Sequence, residues 1–92
     1  MFEQVYTTTV TVEELASVDR QVELELGNEL ARIDRIVAEV QIRNRLLKEL
    51  LLAKVRDDLN PSHGTTMRVE EIERLQSFSG IVKYRFHVLQ RS

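Results

Sequence analysis

NELARIDRIVAEVQIRNRLLKELLLAKVRDDLN, residues 28–60, holds neither Gly nor Pro and is dominated by Ala, Leu, Glu, Lys and Arg. These are strong helix formers, so the stretch predicts a long helix that Pro61 and Gly64 bring to an end. Placing Leu30 at a heptad "a" position sets Leu30, Ile33, Val37, Val40, Asn44, Leu47 and Leu51 at alternating spacings of three and four. That is a coiled-coil seam with one polar member. A buried Asn44 at "a" would meet its symmetry mate, fixing register and a two-stranded state at a cost in stability. In the alternative, Asn44 lies on a solvated face because a second apolar row displaces the seam. Ile36, Ile42, Leu46, Leu50 and Leu52 form such a row, so the helix also packs on its own chain.

Working towards the amino terminus, Phe2 to Val12 alternates and is rich in β-branched and aromatic residues, which predicts a strand at about 2–12. Phe2, Gln4, Tyr6, Thr8, Val10 and Val12 share the face better suited to burial. Thr11 and Glu14 match a capping box, so a helix starts at Val12. Leu15, Val18, Val22, Leu26, Leu30 and Ile33 then continue at helical spacing, which allows one helix over about 12–59 with a kink or break at 27–28. The competing reading takes QVELEL, residues 21–26, as a short strand, with Gly27 as a turn and Asn28 as a fresh cap.

Towards the carboxyl terminus, residues 60–66 read as a loop. Val69, Ile72 and Leu75 share a helical face, which predicts a short helix over about 68–77 with Thr65 or Thr66 as its cap. Gly80 breaks the pattern. Residues 81–90, IVKYRFHVLQ, form the clearest strand, with Val82, Tyr84, Phe86 and Val88 on one face and Lys83, Arg85 and His87 on the other. Pairing it with the amino-terminal strand brings Glu3 to a basic residue and Tyr6 to Tyr84 or Phe86.

The sum is a single α+β domain: terminal strands flank one long amphipathic helix and one short helix. Ninety-two residues provide one core, and a long helix in so short a chain leaves part of its stripe uncovered. Oligomerisation, with a dimer as the simplest form, completes the packing. The reading for function is a non-enzymatic interaction or structural module acting through the seam, with another protein as a further partner.

Thirteen basic against fifteen acidic residues give a net charge of −2, which supplies no general footprint for nucleic acid. The local candidate for an anion or nucleic acid is the strand face Lys83, Arg85 and His87, the basis of an alternative function. A second alternative is a small-ligand site between subunits. There is no cysteine and no recognised catalytic pattern around His63 or His87, and no ligand spacing supports a metal site among His63, His87, Asp57 and Asp58. No cofactor is expected. The chain shows no apolar run long enough to span a membrane and no basic segment followed by one, so an intracellular, cytoplasmic setting is the expectation.

Overall fold

The computed structural model describes residues 2–27, 32–59 and 64–91. Five elements follow one another: β1 (Phe2–Thr11), α1 (Val12–Leu26), α2 (Arg32–Leu59), β2 (Thr66–Phe78) and β3 (Ile81–Arg91). The strands make one antiparallel sheet in the order β1-β3-β2, so the chain is α+β with the last strand in the middle. β3 holds that position because it is the most regularly alternating segment: Val82, Tyr84, Phe86 and Val88 are all buried, while Ile81, Lys83 and Arg85 are exposed. β1 pairs with β3 in an unbroken register from Phe2↔Gln90 to Thr11↔Ile81. Tyr6 accordingly lies opposite Phe86, their ring centroids 6.3 Å apart.

The junction between β1 and α1 is the capping box read from the sequence. The Glu14 amide donates to Thr11 Oγ1 at 3.1 Å, and the Thr11 amide donates to a Glu14 carboxylate oxygen at 3.0 Å. The Val12 amide donates to the Gly80 carbonyl, tying this corner to the β2–β3 turn. In that turn Ser79 and Gly80 both have positive φ, the mark of a two-residue type I′ connection, whose twist matches the flanking strands.

The helix over 12–59 is broken at Gly27, where the sequence allows a kink or break. α1 ends at Leu26, and Gly27 takes φ 60° and ψ −158°, a conformation that essentially only glycine adopts. The helices then run antiparallel, since Glu23 pairs with Arg35, Asp19 with Arg43 and Glu14 with Lys54 as one sequence ascends and the other descends. Residues 21–26 are helix rather than strand. Val22 and Leu26, one turn apart, are both buried, and that burial outweighs the local alternation of QVELEL.

The short helix expected over 68–77 is instead part of a thirteen-residue strand, Thr66–Phe78. Between Glu70↔His87 and Glu73↔Arg85, two β2 residues oppose one residue of β3, and the same happens between Arg74↔Tyr84 and Ser77↔Val82. Each bulge adds one residue to the alternation and so stretches a period of two to a spacing of three. Buried Val69 and half-buried Ile72 therefore share the core side three residues apart, which imitates a helical stripe. Glu71, at the first bulge, has φ 52°. Thr66 caps no helix; its hydroxyl donates to the Arg91 carbonyl at 3.1 Å.

The core lies between one face of the sheet and the second half of α2. Val10, Val69, Val82, Tyr84, Phe86 and Val88 meet Leu51, Val55 and Leu59, with Tyr6, Leu15, Leu47, Leu50, Leu52, Met67 and Ile72 packed around them.

Candidate protein-interaction face

α2 has 28 residues, about 42 Å of helix at 1.5 Å per residue. Its apolar stripe is continuous, but its cover is not. Leu51 is fully buried and Leu47 packs on the core, whereas Ile36, Val37 and Val40 are 56%, 54% and 52% exposed. Among the described residues, none of α2 before Leu47 joins the core cluster. The first half of the helix therefore extends beyond the core that the sheet covers, and among the described residues α1 packs along another of its faces. Ion pairs across the helical hairpin add to the burial of Val22 and Leu26 on α1: Arg35 with Glu23 at 2.9 Å, Arg43 with Asp19 at 3.2 Å and Arg45 with Glu25, while Arg43 also pairs with Glu39 of its own helix at 3.1 Å. The two carboxylates beside Arg43, Glu39 foremost, hold its guanidinium pKa above the ordinary value.

The seam read from the sequence is thus divided. Leu47 and Leu51 serve the chain's own core, and Val37 and Val40 face solvent. Leu30 lies outside the described residues, as does the side chain of Ile33. Asn44 is exposed and lines an open groove of about 470 Å³ between α2 and β2, together with Gln41, Lys48, Met67 and Arg68. In the second apolar row, Leu50 and Leu52 pack on the core and Leu46 joins Leu50 beside Val18 of α1, but Ile36 stays uncovered. Sequence periodicity marked the whole stripe as apolar. Where the sheet stops beneath it is a property of the assembled chain.

The strand face Lys83, Arg85 and His87 carries its own counter-charges. Arg85 pairs with Glu73 at 2.6 Å, and His87 stands between Glu3, 2.6 Å from Nδ1, and Glu71, 3.1 Å from Nε2. Arg68 pairs with Glu70 at 2.7 Å, and Tyr84, the ring that might stack a base, is buried. Lys83 is the member of the trio with no ion pair among the described residues. The partners of Arg85 and His87 came from a register that a single strand does not display. Glu3, Glu71 and His87 each present one donor atom within 4.8 Å of the others. The two carboxylates address opposite nitrogens of one ring, so the cluster links all three strands through a single imidazole. Of the other residues weighed for a metal, Asp57 and Asp58 are exposed on α2 and His63 lies outside the described residues.

No helix among the described residues is long and apolar enough to cross a membrane. Set against protein-family models, curated proteins and solved structures, the chain matches none.

Proposed function

We propose that this chain is a non-enzymatic assembly or protein-interaction module that acts as a homo-oligomer through α2, a dimer in the simplest case. The observation that carries the proposal is the division of the α2 stripe: the same row of side chains that forms the core at Leu47 and Leu51 continues into solvent at Val37 and Val40, with Ile36 at its margin. Three large aliphatic side chains, each more than half exposed within two helical turns, form a patch of the kind that marks a binding surface. A second copy offers the same patch, and isologous pairing is the commonest way for such a surface to close. Counter-charges on the basic strand face leave that face with less support as the binding surface.

Sedimentation velocity over a concentration series tests the proposal. The chain is expected to pass from monomer to dimer as concentration rises, and Val37→Asp with Val40→Asp to remain monomeric with an unchanged far-UV spectrum. These positions separate association from folding, as Leu47 would not. A sharp monomer at several hundred micromolar would overturn the proposal.

A further inference from the structure

We propose that the groove between α2 and the first half of β2 receives an extended, acidic segment of another protein as an added strand. This goes beyond association through the exposed α2 stripe and uses a different part of the surface. The parity of the sheet supplies the first argument. In an antiparallel ladder, successive residues of a central strand bond alternately to one neighbour and to the other. The Val12 amide on the Gly80 carbonyl continues the β1–β3 ladder, whose register sets even-numbered residues opposite even-numbered ones. Even-numbered residues of β3 therefore bond to β1, and His87, Leu89 and Arg91 bond to β2. The pair that closes the β2–β3 turn, Phe78↔Ile81, has the same parity in β3. The β2 partners of Arg91, Leu89 and His87 are Thr66, Arg68 and Glu70, so the amides and carbonyls of Met67 and Val69 point off the edge of the sheet. No turn, cap or loop bond among the described residues uses these four groups.

Beyond Glu70 two bulges and a row of charged side chains blunt the β2 edge, a usual defence against stray pairing. The regular stretch Thr66–Glu70 lacks the bulges and has a second wall instead. Gln41, Asn44, Lys48 and Leu52 share one face of α2 and line the groove of about 470 Å³ with Met67. Leu52 and Met67, both packed against the core, give it an apolar floor. An open strand edge beside such a groove suits strand addition: main-chain bonds supply affinity, and alternate side chains enter the groove. Charge selects the kind of strand. Arg45, Lys48 and Arg68 line the groove, and Glu49 is the one acid among its lining residues. Arg45 and Arg68 have partners in Glu25 and Glu70, whereas Lys48 is exposed and in no ion pair among the described residues. A segment that alternates apolar and acidic residues is therefore the complement. A second copy fits less well, because β1, its unbulged edge strand, has Glu3 as its one acid.

The test uses the chain carrying Val37→Asp with Val40→Asp, so association through α2 plays no part in the outcome. A random heptapeptide phage library is selected against it, and enrichment of alternating apolar and acidic residues is expected. The best peptide is then titrated by fluorescence anisotropy. Lys48→Glu should weaken its binding about five- to ten-fold. N-methylation of one alternate set of peptide amides should abolish binding, while the other set is tolerated, because only one set faces the edge. Amide hydrogen exchange reads the strand directly. In the free chain Met67 and Val69 should exchange fast beside slow Arg68 and Glu70, and the bound peptide should slow the first pair at least about ten-fold. Slow exchange at Met67 and Val69 without peptide, no enrichment, enrichment of basic sequences, or protection along β1 in place of β2 overturns the proposal. None of these results bears on dimerisation, which the concentration series on the unmodified chain decides separately.

Discussion

Leu51 and Val40 belong to one heptad seam, and replacing each with alanine in turn separates the folded architecture from a simple two-stranded rod. Leu51 is fully buried between α2 and the sheet, and Val40 is 52% exposed. Leu51→Ala removes three carbons, a transfer loss of about 2.4 kcal/mol at ~0.8 kcal/mol per buried methylene. A residual cavity of some 50 Å³ adds about 1.2 kcal/mol at ~24 cal/mol per Å³. The sum, near 3.5 kcal/mol, is a large share of the ~5–14 kcal/mol expected for a chain of this size. It should lower the melting temperature by roughly 15–25 °C. Val40→Ala loses two carbons that are already half in water, so its cost to the isolated chain should stay within about 0.5 kcal/mol. The assay is urea unfolding followed by circular dichroism at a concentration below association, where dimerisation contributes nothing to either value. In a rod whose stability comes from the seam, the two substitutions cost similar amounts. A Leu51→Ala loss below about 1 kcal/mol, or a Val40→Ala loss equal to it, would refute the placement of the sheet over the second half of α2.

Two further outcomes follow from the junctions. Gly27→Ala should destabilise the chain by about 1–3 kcal/mol because φ 60° with ψ −158° strains any side chain; inside a continuous helix the same change would stabilise by about 1 kcal/mol, so the sign of the shift in denaturation midpoint decides the matter. At the first corner, the Lys54 ammonium bonded to the Glu14 carboxylate, and then the Thr11 amide, hold Glu14 below the usual carboxylate range. A depressed folded-state pKa contributes stability above the unfolded value of about 4.3, and that contribution is lost as pH falls through the lower folded value. Glu14→Gln should therefore cost roughly 0.5–1 kcal/mol at pH 7 and converge with the parent at about pH 2. A constant difference across this range would show that the ionised carboxylate contributes nothing.

Local patterns carried most of the α+β assignment. The alternation of residues 81–90 and 2–11, the capping box at Thr11 and the helix formers of α2 are decided by steric fit and hydrogen bonding within a few residues, so they can be read along the chain. Even Tyr6 against Phe86 followed from antiparallel pairing of the two strands. The misreading at Val69, Ile72 and Leu75 has the same physical root. A bulge is imposed by the neighbouring strand, and its effect on spacing looks helical when that neighbour is not in view.

The site was legible only in outline. The sequence by itself determined that residues 30–51 carry an apolar stripe with Asn44 as its polar member, because periodicity is a property of one helix. It could not determine which half of that stripe the chain would cover. That depended on the reversal after Gly27, on β3 inserting between β1 and β2, and on where the resulting sheet ends beneath α2. Tertiary structure buried Leu51 and left Val37 and Val40 in water, since burial is set by the segments that happen to lie opposite a side chain.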